Sequence, residues 1–89
     1  MSWIILFGNS AIKDMKALDR QTRRRIIEKI ENDLAQNPIG KSATLEGSLK
    51  IYRKYRVGDW RVIFRLDMKK QKIHIRRISH RSRAYRKIE

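Results

Sequence analysis

The sequence predicts an α+β domain in which two helices pack on one face of a mainly antiparallel, four-stranded sheet. Three observations support this class. An apolar stretch opens the chain, two stripes of helical period follow it, and apolar and polar residues alternate from residue 49 onward. At 89 residues the chain is expected to form one domain spanning residues 1–89.

The first strand and the first helix are predicted from the opening 18 residues. Residues 3–7 are all apolar, which is typical of a short strand covered on both faces. Gly8 interrupts this run. Ile12, Met15 and Leu18 then recur at three-residue spacing, which predicts a short amphipathic helix.

A second helix is predicted from Asp19, which can cap it, to the residue before Pro38, which cannot easily remain helical. Its apolar stripe has helical period and consists of Ile26, Ile27, Ile30 and Leu34. The two helices should form an antiparallel hairpin. Residues 38–48 are expected to form a loop in which Leu45 docks on the core.

A β-hairpin is predicted from residues 49–57 and 60–66, which alternate on either side of the turn formed by Gly58 and Asp59. A two-residue turn fixes the register, and it pairs Arg56 with Arg61 and Lys54 with Ile63. The face expected to pack on the helices carries Ile51, Tyr55, Val57, Trp60, Val62, Phe64 and Leu66. The other face carries Lys54, Arg56, Arg61 and Arg65, with Tyr52 and Ile63 among them. Alternation sends Arg53 to the apolar face, so its guanidinium is expected to turn out at an edge.

A fourth strand is predicted over residues 72–79, with a bulge near residues 76–77 because Ile78 falls on the wrong parity. A short basic C-terminal segment follows it.

The positive charge is concentrated in the second half of the chain. From Lys50 onward there are fifteen Lys and Arg residues against three acids, and the net charge of the whole chain is +14. A basic surface of this density on a folded domain indicates a polyanionic partner, with nucleic acid the commonest.

The chain lacks cysteine, and two histidines do not suggest a metal site, so neither a metal nor another cofactor is expected. No apolar run approaches the length of a membrane span, which favours a cytoplasmic protein with no membrane partner.

The predicted pairing of Arg56 with Arg61 is unfavourable for folding alone, because like charges across a strand pair destabilise by ~0.2–1 kcal/mol. A bound phosphate would relieve that repulsion, and arginine binds phosphate with two parallel hydrogen bonds. Cleavage of RNA needs a base for the 2′-OH, charge stabilisation at phosphorus and an acid for the leaving 5′-oxygen. A lysine among cations can serve as the base, and His80 is either the acid or a surface histidine at the strand end. His74, within the strand, is expected to be structural.

Three segments resemble the RelE/ParE superfamily of type II toxins: residues 45–47, residues 52–64 with the sequence YRKYRVGDWRVIF, and residues 78–86 with the sequence ISHRSRAYR. The resemblance covers the whole chain and implies a RelE-like fold. It further implies a ribosome-dependent endoribonuclease that cuts mRNA in the ribosomal A site and is blocked by a cognate antitoxin protein. By position, the resemblance implies catalytic roles for Lys54 (activation of the 2′-OH), Arg61 (phosphate), Arg81 (leaving oxygen) and Tyr85 (stacking on mRNA).

The remaining candidates are less specific. Arg56, Arg65, Arg53 and Arg83 are candidate RNA contacts, and Tyr52 occupies a position that is basic in RelE-type members. Which of His80 and Arg81 acts as the general acid stays open. Two other functions are compatible with the sequence: a ParE-like, non-enzymatic poison of DNA gyrase with the same fold, and an RNA-binding module without catalysis. The presence of Lys54, Arg61, Arg81 and Tyr85 favours the nuclease over these two alternatives.

Overall fold

The computed structural model describes residues 3–81 and contains two helices on one face of a five-stranded sheet. The strands are β1 (Ile4–Phe7), β2 (Ala43–Thr44), β3 (Arg53–Val57), β4 (Trp60–Asp67) and β5 (Lys72–His80), and the helices are α1 (Asn9–Lys16) and α2 (Arg20–Asn32). The strand order is β1-β5-β4-β3-β2. β1 runs parallel to β5, and the other neighbouring pairs are antiparallel.

The predicted α+β class is confirmed. The prediction that the first strand is covered on both faces was wrong, because β1 lies at the edge of the sheet and Ile4 and Leu6 are 54% and 39% exposed. The sheet differs from the prediction in two further ways. It has five strands rather than four because the loop before the hairpin contributes the two-residue strand β2. It is mixed because the first strand of the chain pairs with the last strand described, in parallel. A two-residue strand has too few positions to leave an alternation pattern in the sequence.

The two helices form a hairpin closed by a side chain. Asp19 caps α2 as predicted, since its Oδ1 accepts a hydrogen bond from the Thr22 amide at 3.1 Å. Arg23 then donates from Nε to the Met15 carbonyl at 3.0 Å and from Nη2 to the Leu18 carbonyl at 2.9 Å. These bonds satisfy carbonyl oxygens at and just beyond the end of α1, where helical partners run out.

The second helix is shorter than predicted, because α2 ends at Asn32 and a 3₁₀ turn at Leu34–Gln36 replaces its expected last turn. The predicted apolar stripe still faces the sheet: Ile26, Ile30 and Leu34 are fully buried. A 3₁₀ turn keeps the chain coiled, so Leu34 stays on the core side although the α-helix has stopped.

The hairpin between β3 and β4 has the predicted register. Gly58 has φ +61°, a conformation that glycine adopts without strain, and Val57 pairs with Trp60 across the turn. Arg56 lies opposite Arg61 and Lys54 opposite Ile63. The predicted bulge is also present, because the register between β4 and β5 shifts at Ile63/Phe64.

The core lies between the helices and one face of the sheet, which we call the helix face. Its side chains from the sheet include Tyr55, Val57, Val62, Phe64, Ile73, Ile75 and Ile78. Leu45 is buried as expected. The prediction that Ile51 joins this face was wrong: its side chain is 60% exposed, because β3 begins only at Arg53.

Asp14 on α1 secures the edge of β5 beyond the point where β1 ends. Its Oδ2 accepts hydrogen bonds from the Ile78 amide at 2.8 Å and from Arg77 Nε at 2.9 Å, and its Oδ1 accepts one from Arg77 Nη2 at 3.2 Å. One carboxylate therefore takes the position that a neighbouring strand would otherwise occupy, and it fixes α1 on the sheet. Between residues 3 and 81, no helix has the length and apolar character needed to cross a bilayer.

Candidate nucleic-acid interface

The face of the sheet turned away from the helices, here called the outer face, carries the cations predicted from the hairpin register. Successive side chains of a strand point to opposite faces. Because Tyr55, Val62 and Phe64 lie in the core, the intervening side chains of β3 and β4 belong to the outer face. They are Lys54, Arg56, Arg61, Ile63 and Arg65.

Arg56 and Arg61 are direct cross-strand partners at the turn end of the outer face. Arg56 is exposed, whereas Arg61 is only 9% exposed and its Nε and Nη1 atoms are buried. The sequence predicts four displayed cations on this face, and the structure corrects that expectation for Arg61. Burial holds a guanidinium in a defined orientation and strengthens its interaction with an anion, because the local dielectric is lower than that of water.

The middle of the outer face is also covered. Ile63 is 2% exposed, although it lies on the face of the sheet turned away from α1 and α2. The Arg76 guanidinium carbon lies 5.9 Å from the centre of the Tyr52 ring, within the range of a cation–π contact. Tyr52 precedes β3 and Arg76 lies at the bulge of β5, so their contact bridges the strand that carries Ile63. Arg76 is a member of this face that sequence reasoning missed, although the predicted bulge adjoined it.

Arg53 does not lie with the outer cations. It pairs with Phe64, a core residue, and its side chain turns to the loop after α2. Its Nε donates to Ser42 Oγ at 2.7 Å, and its Nη2 donates to the carbonyl oxygens of Ile39 at 3.1 Å and Ser42 at 3.3 Å. The expected turn toward an edge is confirmed, and it ends in specific hydrogen bonds rather than in solvent.

His80 lies opposite Trp60, and the two rings meet edge to face with centres 5.3 Å apart and planes at 88°. Trp60 packs against the core cluster, so His80 is on the helix face while Arg61 is on the outer face. The structure therefore does not bring His80 together with Lys54 and Arg61. His74 is half-buried within β5, where it pairs with Arg65.

Arg81 immediately follows β5 and is held at the hairpin turn. Its amide donates to the Asp59 carbonyl at 2.8 Å, and its Nη1 lies 4.0 Å from Asp59 Oδ1. Both side chains are more than two-thirds exposed, so this ion pair is weak. The backbone bond brings Arg81 to the end of the sheet that also carries Arg56 and Arg61.

Lys54 is half-buried between two hollows at the β2 edge of the sheet. The larger, of about 550 Å³, is also lined by Ala43, Thr44, Leu45, Glu46 and Leu49. The smaller, of about 250 Å³, is also lined by Lys41, Ser42, Ala43, Tyr55 and Arg56. Glu46 and Lys41 were not singled out as site residues from the sequence, because their proximity to Lys54 depends on the pairing of Ala43 with Lys54.

Tyr55, the residue after Lys54, anchors β3 to the end of α2. Its hydroxyl donates to Asp33 Oδ2 at 2.6 Å, and Lys41 Nζ lies 3.3 Å from Asp33 Oδ1. The hydrogen bond from Tyr55, aided by Lys41, lowers the pKa of the Asp33 carboxyl. Burial, together with the same hydrogen bond, raises the pKa of Tyr55.

Two candidates, Arg83 and Tyr85, lie outside the described residues. Within residues 3–81, no three His, Cys, Asp or Glu side chains are grouped so as to hold a metal ion.

Comparison with solved structures supports the fold. The toxin–antitoxin complex RelBE2 of Mycobacterium tuberculosis contains a chain with 23% identity and a TM-score of 0.86, covering 91% of this chain and 100% of that one. The RelB–RelE antitoxin–toxin complex of Methanococcus jannaschii gives 26% identity and a TM-score of 0.64, covering 94% and 99%. The isolated RelE toxin of E. coli gives 17% identity and a TM-score of 0.72, covering 99% and 100%.

Comparison of sequences identifies the family. No curated protein matches the chain. Residues 5–85 match the family model described as the ParE toxin of type II toxin-antitoxin system, parDE. This match spans nearly the whole chain, and it agrees with the resemblance carried by the hairpin and the closing basic motif. The chain therefore belongs to the ParE toxin family of type II toxin–antitoxin systems, within the RelE/ParE superfamily.

Proposed function

We propose that this toxin is a ribosome-dependent endoribonuclease that cleaves mRNA in the A site and thereby inhibits translation. The observation that carries the proposal is the direct pairing of Arg56 with Arg61 on the outer face, with Lys54 two residues before Arg56 on the same strand. A like-charge pair weakens a sheet, and a phosphate group bridging the two guanidinium groups would reverse that effect.

The proposed reaction uses the 2′-OH of the RNA as nucleophile. The amine of Lys54, in its neutral form, accepts the 2′-OH proton while the oxygen attacks phosphorus. Arg61 and Arg56 stabilise the extra negative charge at phosphorus. The bond to the 5′-oxygen breaks, and this oxygen takes a proton, which leaves a 2′,3′-cyclic phosphate and a free 5′-OH. Binding at the ribosome would supply the aligned mRNA that a single small domain cannot orient alone.

Arg81 is favoured over His80 as the residue that acts on the departing 5′-oxygen. Arg81 is tethered by its amide to Asp59, at the same sheet end as Arg56 and Arg61. His80 packs its ring against Trp60 on the helix face. Arg81 would stabilise the departing oxyanion, and solvent or a ribosomal group would supply the proton. Tyr85 is proposed to stack on the mRNA, and Arg65 and Arg83 to contact its backbone.

The natural partner is proposed to be an antitoxin encoded with the toxin. Two of the three solved structures compared above are complexes of a toxin with its antitoxin. The cytoplasm is the corresponding location, because ribosomes and mRNA are found there.

The decisive experiment is a primer-extension map of a translated mRNA after induced expression. The proposal expects cuts at codon-phased positions in translated regions, with 2′,3′-cyclic phosphate ends. Arg61→Lys should lose most cleavage, because it keeps the charge but not the two-pronged hydrogen bonding. Arg24→Ala, which removes an exposed cation from α2, is the matched control and should cleave normally.

A gyrase poison is the second candidate, and the match to the ParE family model favours it. It predicts intact mRNA and accumulation of gyrase-bound DNA breaks after the same induction. Ribosome binding without cuts would instead indicate an RNA-binding module. Either result would contradict the nuclease proposal.

A further inference from the structure

The loop between α2 and β2 is fastened by hydrogen bonds that converge on two side chains. The Lys41 amide donates to the Asn37 carbonyl at 2.9 Å, which closes a turn. Ser42 Oγ donates to the Pro38 carbonyl and accepts from Arg53 Nε. The Arg53 Nη2 group bonds the carbonyl oxygens of Ile39 and Ser42. One guanidinium therefore holds both ends of the segment 39–42.

The fastened segment leads directly into β2. β2 has only two residues, and so short a strand has little pairing energy of its own. It follows Ser42 directly, and its residues pair Ala43 with Lys54 and Thr44 with Arg53. The pairing is extended by one further bond, from the Leu45 amide to the Tyr52 carbonyl at 3.0 Å. With the loop released, these few bonds would have to hold the segment unaided.

β2 in turn forms the wall beside Lys54. Ala43 lines both hollows that Lys54 adjoins, and Thr44 lines the larger one. Lys54 is half-buried, whereas Arg56 and Arg65 on the same outer face are exposed. A lysine side chain has a long flexible stem, and a neighbouring strand restricts the orientations open to its amine.

We infer that Arg53 is a positioning residue, which fixes β2 beside Lys54 through Ser42 and Ile39 rather than binding RNA itself. Arg53 belongs to the helix face, opposite the side that carries Lys54 and Arg56. Three of its N–H···O bonds are directed at the loop. The inference rests on the proposed function for its consequence, since a base amine must lie within hydrogen-bond reach of the 2′-OH.

Two substitutions test this inference, because they break the same contact from its two sides. Ser42→Ala removes the acceptor for Arg53 Nε and keeps every charge. Arg53→Gln removes the guanidinium and one charge. Both should lower the single-turnover cleavage rate on ribosomes programmed with a short mRNA by about ten-fold or more, since small misplacements of a reacting group are costly. Both should leave ribosome affinity and its salt dependence unchanged. The control is Arg65→Gln, which removes an exposed charge from the outer face. This variant should lower the salt dependence of ribosome binding instead.

Amide hydrogen exchange supplies a readout independent of cleavage. Exchange at Leu45 should become about ten-fold faster or more in both variants, because its bond to Tyr52 depends on β2 staying docked. Ser42→Ala is the milder change and keeps the test decisive if Arg53→Gln folds poorly. Two results together would overturn the inference. Ser42→Ala would show a normal cleavage rate and normal amide exchange at Leu45, and Arg53→Gln would lower the salt dependence of ribosome binding by about one charge. Should the wild-type chain fail to cleave, the proposed function fails, while hydrogen exchange still decides whether Arg53 holds β2.

Discussion

Removal of the Asp14 carboxylate should destabilise the protein more than removal of any exposed acid. In the Asp14→Ala variant the Ile78 amide and the Arg77 guanidinium lose their shared acceptor. Breaking a buried ion pair from one side costs about 3–5 kcal/mol. The two side chains here keep 17% and 26% exposure, so water can replace part of the lost interaction, and we expect a loss of about 2–4 kcal/mol.

The assay is thermal and denaturant unfolding followed by circular dichroism. For a domain of this size, each kcal/mol shifts the Tm by about 4–8 °C, so Asp14→Ala should lower it by roughly 8–32 °C. Glu28→Ala, which removes an exposed carboxylate from α2, is the matched control and should change stability by less than about 0.5 kcal/mol.

A double variant removes both partners of the ion pair between Asp14 and Arg77. Asp14→Ala combined with Arg77→Met should cost less than the sum of the single changes, because no charge is then left without its partner. If Asp14→Ala melts within two or three degrees of the unmodified protein, the carboxylate does not fasten α1 to the edge of β5. In that case the hydrophobic contacts of Ala11 and Met15 must hold the helix by themselves.

Three further outcomes are expected. Because the pKa of Tyr55 is raised on folding, the contribution of Tyr55 to stability is complete below about pH 10 and is lost as the pH rises above that value. Tyr55→Phe should therefore weaken the alkaline fall in stability, as measured by urea unfolding at several pH values. Gly58→Ala should cost about 1–2 kcal/mol, because φ is +61° there, and Gly58→Asn should cost less; equal midpoints in urea for both variants would contradict the turn geometry. Arg56→Ala should reduce the salt dependence of ribosome binding by about one charge, whereas Arg24→Ala should leave it unchanged, as a titration over increasing salt would reveal.

Local chemistry allowed the hairpin to be predicted in detail. Gly58 and Asp59 form a turn whose length fixes the pairing, so the meeting of Arg56 with Arg61 follows from the sequence alone. The stripe of Ile26, Ile30 and Leu34 likewise identified the packed side of α2 even though the helix ended early.

Features that depend on distant parts of the chain could not be predicted in the same way. The burial of Arg61 and Ile63 requires cover on a face that alternation marks as exposed. The position of β2 depends on Arg53 reaching back eleven residues to Ser42, a contact that leaves no periodic signal. Ile51 continues the apolar alternation in the sequence, but the chain enters the sheet two residues later. The roles of Lys54, Arg61 and Arg81 in catalysis remain predictions, and cleavage by the Arg61→Lys variant tests that of Arg61.

The parallel pairing of β1 with β5 has a consequence for synthesis of the protein. Ile4 to Phe7 hydrogen-bond to a strand that begins at Lys72, so the first strand has no partner until most of the chain has been translated. Contacts between such distant segments close late and slowly. A growing toxin thus cannot complete its sheet until Lys72 and the strand that begins there have been synthesised.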